Sequence, residues 1–275
     1  LRFKHFLISR FNVQYLEMVP YNLKMDPERW LSERIQLFFD YCYPSVINQR
    51  CNNFTWLVYF DPRTPEKELE IISSLDTKHI IQFRFSDHWS KMDKDILDFI
   101  SKDVELEKTD VIISTRLDCD DAIADYFMGA IQKEFSNQYQ NLPLAINPLK
   151  GLILDRRSGV VHLKKMRSNP FISLVQSADD MDVSIFGRQH QEITETIKSI
   201  DLLIPKMWLQ IVHGNNLLNK PSGMPLLGND LSLFHIKDAP NVPKGNMLLY
   251  SFLKYLMGRM NNLFIKTKRR IGLKA

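Results

Sequence analysis

Between Asp110 and Ile123 the chain reads DVIISTRLDCDDAI, an apolar run that stops at three acids, Asp118, Asp120 and Asp121. Val111, Ile112 and Ile113 are consecutive and β-branched, which suits a strand covered on both faces. Carboxylates just beyond such a strand are costly unless solvated, paired or bound to a cation. The carboxyl edge of an α/β sheet is also where its ligands bind. Asp-x-Asp-Asp at that edge has the make-up of a clamp for a metal and a diphosphate, because Mg²⁺ and Mn²⁺ take carboxylate and phosphate oxygens. A plainer reading competes with it. Asp is a good N-cap, and Ala122-Ile123-Ala124 would open a helix whose first turn these acids stabilise.

The flanking sequence decides the fold class. His5–Ser9 reads as a buried strand followed by the polar turn Arg10-Phe11-Asn12. Trp30–Val46 has helical spacing, with Pro44 at a break or in the first turn of a second short helix. Phe54–Phe60 is a strand ending in Asp61-Pro62, and Pro65-Glu66 opens a helix. Ile80–Phe85 is a third strand, Lys94–Asp103 a helix and Val111–Thr115 a fourth strand. This alternation predicts an α/β fold with a mostly parallel sheet. Beyond Asp121 a helix is expected over Ala122–Phe135, then short strands at Leu144–Ile146, Gly151–Leu154 and Val160–Leu163. The last two form a hairpin about the turn Asp155–Gly159. A strand at Phe171–Val175 and a helix over His190–Ile200 complete the pattern, and 216–245 reads as an ordered loop or linker.

Charge separates the body from the tail. Seven basic residues and no acid lie between Asn246 and Ala275, so the net +4 of the whole leaves the body at −3. A mildly acidic body argues against nucleic acid as a partner. In the tail, Leu249, Phe252, Leu253, Leu256, Met260, Leu263 and Phe264 form a helical stripe, followed by Lys266, Lys268, Arg269, Arg270 and Lys274. That is the pattern of a basic amphipathic helix for an anionic membrane surface, or of a helix packed on the body with a solvated end. Three cysteines without a CxxC imply a reducing compartment and no structural zinc. The opening LRFKHFLISRFNV is too short and too quickly polar for a signal peptide, and no run approaches the roughly 20 apolar residues of a membrane span. The expected location is cytoplasmic, or peripheral at the inner face of a membrane.

Four features now stand in order: strand plus Arg-Phe-Asn, helix plus Ser45-Val46-Ile47-Asn48-Gln49, strand plus Asp-Pro, and strand plus Asp-x-Asp-Asp. In this the chain resembles the inverting, nucleotide-sugar-dependent glycosyltransferases of the GT-A fold. It is most similar to the group described as putative rhamnosyltransferases. The shared pieces include Trp30…Arg34…Phe38 and the segment Trp208-Leu209-Gln210-Ile211-Val212-His213-Gly214-Asn215-Asn216. The resemblance covers roughly residues 3–220. It implies a donor that is a dTDP-, UDP- or GDP-linked sugar, a glycan or glycolipid acceptor, and Mn²⁺ or Mg²⁺ as cofactor.

It also implies roles. Asp61 would meet the base or ribose, Arg10 and Asn12 would hold the nucleotide, and Phe11 would offer a stacking surface. Asp118 would bind ribose or reach the cation through water, and Arg116 would neutralise diphosphate charge. Asp120 would bind the metal, Asp121 would support it, and His213 would close the metal site, with Gly214 allowing backbone approach. The base that takes the acceptor proton is sought among Asp179, Asp180, Asp182 and Glu192; Asp180 is the choice, with His190 as alternative or acceptor-binding residue. The expected organisation is a catalytic domain over 1–215, with a nucleotide and metal half to about 125 and an acceptor half from 126. A loop over 216–245 and the basic helix over 246–275 follow. Two rivals remain: a membrane-associated binding protein whose acids are structural, and an Asp-x-Asp phosphatase. The phosphatase needs its nucleophilic acid after the first strand, where this chain has Arg10-Phe11-Asn12.

Overall fold

The computed structural model describes residues 2–103, 109–138, 142–214, 220–228, 230–239 and 245–270. Asn215, Asn216 and Lys274, with the side chains of Leu263, Phe264, Lys266, Lys268, Arg269 and Arg270, lie outside the described residues.

A seven-stranded sheet forms the centre. Four parallel strands make its first half: β1 (Phe3–Arg10), β2 (Thr55–Phe60), β3 (Ile81–Phe85) and β4 (Val111–Arg116). They are joined through α1 (Tyr15–Leu23), α2 (Pro27–Leu37), α3 (Tyr43–Ile47), α4 (Glu66–Leu75) and α5 (Trp89–Asp103). Strand alternation splits the apolar side chains between two layers. Leu7, Trp56 and Val58 pack with Trp30, Phe38 and Ile72, while Phe6, Ile8, Leu57 and Tyr59 pack with Met92, Ile96 and Ile100. A strand covered on both sides needs the continuous apolar runs that the sequence shows.

The second half departs from simple alternation. After β5 (Ala122–Ile123) and α6 (Phe127–Gln138) come β6 (Leu144–Pro148), the hairpin of β7 (Lys150–Asp155) and β8 (Val160–Lys165), and β9 (Ser173–Ser177). Then follow α7 (His190–Thr196), β10 (Ser199–Leu202), β11 (Trp208–Val212), β12 (Met224–Pro225) and α8 (Gly245–Arg270). The central order is β10-β6-β9-β4-β1-β2-β3, with β9 antiparallel to both neighbours. A smaller sheet, β12-β8-β7-β11-β5, stands beside it.

Two expectations are corrected here. Ala122–Ile123 is not the start of a helix: it pairs with Trp208–Leu209 of β11, and the helix begins at Phe127. The helix at His190 stops at Thr196, because Ser199–Leu202 pairs along the edge of β6. Pro44 does sit in the first turn of a short helix, reached through a π-helical turn over Phe38–Cys42. In the loop after β12, Leu231 and Phe234 are buried against the smaller sheet. All three cysteines are unpaired.

One core contact links stability to pH. His5 is 3% exposed, its Nε2 is 2.8 Å from Thr115 Oγ1, and its Nδ1 is 3.2 Å from Gln132 Nε2. Gln132 can only donate there, so the ring is neutral with its proton on Nε2. Burial depresses its pKa from 6.5 to about 3. Its contribution is therefore complete above pH 6.5 and is lost as pH falls towards 3, because the unfolded chain takes up a proton that the folded one refuses. The expected slope is about 1.4 kcal/mol per pH unit within that window. Urea titrations between pH 7 and 4 should show it, and His5→Gln should flatten it.

Candidate active site

The carboxyl ends of β1, β2 and β4 fall at one edge, since Arg10 pairs with Tyr59 and Ile8 with Arg116. At this edge a pocket of about 430 Å³ is lined by Arg10, Arg34, Arg116, Asp118, Asp120 and His190, among others. The site is a set of arginine–carboxylate contacts around a hollow.

Asp120 lies at its centre. Its Oδ2 is 2.9 Å from Arg34 Nη1 and 3.0 Å from His213 Nε2. Burial alone would raise the carboxyl's pKa, but Arg34 and His213 outweigh it and hold the group below the usual carboxylate range. Arg34 comes from α2, where it follows Trp30 at the i, i+4 spacing that puts both on one face, with Phe38 opening the π-helical turn beyond. Its guanidinium is 15% exposed and lies 5.5 Å from the Trp30 ring. No role for Arg34 followed from the sequence, although an arginine on the apolar stripe of a helix is itself the signal.

Asp118 faces the same pocket and accepts from Arg116 Nη2 at 3.2 Å to each oxygen. The Arg116 guanidinium lies 4.9 Å from the Phe186 ring, and Arg10 lies 4.4 Å over the Trp89 ring. Among the described residues Arg10 meets no carboxylate. Burial disfavours its charge, the Asp118 carboxylate partly offsets this, and Arg116 and Arg34 add repulsion. An anion in the pocket would relieve this. His190 Nδ1 and Nε2 belong to a half-buried ring whose pKa burial, aided by Arg116, lowers to about 4, so the imidazole is neutral at pH 7.

Of the expected ligands, Asp121 and Asp61 lie outside the pocket, while Phe11 and Asn12 line it with side chains engaged elsewhere. Asp121 does not line the pocket: it is 2% exposed, and its Oδ1 accepts from the Ile211 amide at 2.8 Å. Burial and the charges of Asp120 and Asp118 raise its pKa well above the ordinary value, and it anchors β11 through the Ile211 amide. Asp61 is fully buried, its oxygens taken by the Arg63 guanidinium and by the Arg63 and Gln14 amides. Asn12 donates to Thr64 Oγ1 and accepts from the Asp61 amide, which spends its amide on the loop. The Phe11 ring is 2% exposed between Phe38 and Phe60 and has no free face for a base. Trp89, which is 42% exposed, is the aromatic wall that the sequence did not single out.

Asp180 is misplaced for a base. Strand β9 runs against β4, with Ser177 opposite Val111, so the turn after Ser177 lies at the far edge of the sheet from Asp120. Glu192 instead closes a capping box on the Gln189 amide. The chain returns to the site only at Phe186 and His190.

The Ser45…Gln49 pattern also acquires a role. Ser45 Oγ donates to the Cys42 carbonyl and accepts from the Ile123 amide. Gln49 donates to the Ala124 carbonyl and accepts from the Met128 amide. Together they fasten the exit of the acid loop to α3. Gln49→Leu would leave the buried Met128 amide unpaired, while the Ala124 carbonyl keeps the Phe127 amide, an expected loss of about 1–3 kcal/mol in chemical denaturation.

The family profile described as "Putative rhamnosyl transferase" matches residues 2–224. The chain belongs to that family. For this rhamnosyl transferase family member no curated protein matches. Among solved structures it is similar to TarS of S. aureus, with a TM-score of 0.41 at 10% identity over 77% of this chain and 37% of that one. The chain thus spans well under half the length of TarS. A putative nucleotide-diphospho-sugar transferase from Desulfovibrio desulfuricans G20 gives 0.37 at 10% identity, over 76% of this chain and 80% of that one. HddC from Yersinia pseudotuberculosis gives 0.35 at 11%, over 72% and 90%.

Proposed function

We propose that the chain is a metal-dependent inverting glycosyltransferase that moves a sugar, rhamnose or another hexose, from a nucleoside diphosphate to a hydroxyl of a glycan or glycolipid. The observation that carries this reading is the convergence of Arg10, Arg116, Asp118 and Asp120 on one pocket at the carboxyl edge of β1 and β4. A diphosphate placed there would meet Arg10, which lacks an acid partner, and Arg116, whose contacts with Asp118 are long and exchangeable for a bidentate phosphate contact.

Among the described residues no three metal-ligating side chains stand together, so a divalent cation would need the donor's phosphate oxygens beside Asp120 and His213. Asp120 offers carboxylate oxygen and His213 an imidazole nitrogen, with Asp118 facing the same space; phosphate oxygens and water would complete the shell. When bound, Mn²⁺ or Mg²⁺ would supply charge neutralisation to the departing diphosphate. Arg34 keeps Asp120 ionised for that role. His190, which is neutral and lines the same pocket, is our candidate for taking the proton of the acceptor hydroxyl or for binding the acceptor.

Calorimetric titration of dTDP, UDP and GDP, first with Mn²⁺ and then with EDTA, tests the reading. Metal-dependent binding of one of them is expected, with dTDP pointing to rhamnose. Binding indifferent to EDTA would leave the arginines as the whole clamp and remove the metal. No binding of any to folded protein would end the donor assignment.

One further feature favours work at a membrane surface. No described helix is long and apolar enough to cross a membrane. Yet α8, packed against β12 and β8, leaves Leu249, Leu253, Leu256, Met257 and Met260 each more than half exposed. An apolar face flanked by a basic segment suits the headgroup region of an anionic bilayer.

A further inference from the structure

A second cavity, of about 610 Å³, lies between α8 and the β7–β8 hairpin, and shares no lining residue with the first. Four cations line it: Arg157, Lys164, Lys254 and Arg259. The one acid on its wall, Asp155, is occupied by the Ser158 hydroxyl and the Arg157 amide. Among the described residues none of the four cations forms an ion pair. Lys164 Nζ donates to Ser222 Oγ at 3.0 Å, and Arg259 lies 3.3 Å from the Tyr255 hydroxyl one turn away. Four like charges gathered around one acid repel one another until an anion arrives.

His162 supplies the second, independent observation. It lines the cavity, is 5% exposed, and neither ring nitrogen has a hydrogen-bond partner of good geometry among the described residues. The nearby Gly223 carbonyl only biases the ring towards its charged form, against the burial that opposes it. A buried imidazole in that state is unsatisfied, and a ligand oxygen in the cavity would satisfy it. Gly223 holds the floor of the cavity tight, at φ +110°, where a Cβ would come within 2.4 Å of the Leu163 carbonyl oxygen.

Two exposed apolar side chains of α8, Tyr250 and Met247, form part of the cavity wall. A ligand suited to both the cavity and that helix has a compact anionic head and an apolar body. We propose that the cavity binds the phosphate headgroup of an anionic lipid whose chains lie along α8. The proposal rests on the membrane-surface reading of α8, is independent of the donor pocket, and adds a specific seat to what would otherwise be diffuse attraction.

The test compares sedimentation of the full chain with vesicles of phosphatidylcholine alone and with vesicles holding about one-third phosphatidylglycerol. The pocket variant is His162→Gln with Lys164→Gln, and the control is Lys133→Gln, an exposed charge on α6 away from the cavity. Wild type should prefer the anionic vesicles. The pocket variant should lose about tenfold of that binding and the control less than about fivefold, which is the most that one diffuse surface charge is worth. An unchanged melting temperature shows the variant folded, as replacing an unpaired imidazole should allow.

Equal losses in pocket variant and control would overturn the proposal, leaving only diffuse charge. Equal binding of both vesicle types by wild type would keep the helix reading and discard the cavity. A parallel titration with glycerol 3-phosphate separates sources. If it binds and is lost in the pocket variant while no vesicle binds, the cavity holds a free phosphate ester and the lipid assignment falls. Nucleoside diphosphate binding should be the same in all three proteins, so failure of the donor reading remains a separate result.

Discussion

Asp120→Asn should lower metal-dependent donor binding and turnover by at least about 100-fold while the protein stays folded. The substitution keeps the shape and removes the charge. His213 and Arg34 then face a neutral amide, which is a poor ligand for a hard cation and no counter-charge for a guanidinium. Asp120→Ala is a different experiment, because it also strips Arg34 of its 2.9 Å partner inside the protein. Leaving a buried cation uncompensated costs about 3–5 kcal/mol, so this variant should be both inactive and markedly less stable. The double variant Asp120→Ala, Arg34→Met should recover most of that stability and none of the activity. A double-mutant cycle in urea, read beside the donor titration, separates the two losses. Normal turnover by Asp120→Asn would sink the clamp.

The parts of the site that sequence made legible are those that depend on one strand. β4 is a continuous apolar run, so its end and the acids beyond it are placed by local pattern alone. The same holds for Arg10 at the end of β1. What sequence could not give is which acid faces inward. Asp118, Asp120 and Asp121 are near neighbours, yet one pairs with Arg116, one with Arg34 and His213, and one with the Ile211 amide. Those partners lie up to 93 residues away, and only the packing of α2 and β11 on the loop sorts them. The Asp180 assignment failed for a related reason. The resemblance pointed to an acidic stretch beyond the sheet, whereas the antiparallel course of β9 carries Asp180 to the edge opposite the pocket that His190 lines. Helix over Ala122–Phe135 failed because pairing with β11 overrode a helix-compatible segment.

The motif around Trp208 shows the same division between chemistry and support. Its histidine reaches Asp120, but its tryptophan never sees the pocket. Trp208 is fully buried, stacks on Phe171 at 5.0 Å, and donates from Nε1 to the Pro148 carbonyl. Across the parallel β7–β11 pair, Gly151 lies beneath the indole so closely that a Cβ would stand 2.0 Å from Cδ2, 2.3 Å from Cε2 and 2.5 Å from Cε3. Neither side has room to give, since the ring is held by Phe171 on its face and by a hydrogen bond at its edge. Gly151→Ala is therefore expected to destabilise the protein by about 3 kcal/mol or more, at the upper end for one added methyl group. The damage should reach the site, because the displaced strand carries Gln210 and His213. Gly151→Ala with Trp208→Phe should regain part of the stability by trading indole for space, though it gives up the bond to Pro148. If Gly151→Ala melted like wild type, the indole would have another place to go, and β11 would be held by the Asp121–Ile211 contact rather than by its tryptophan.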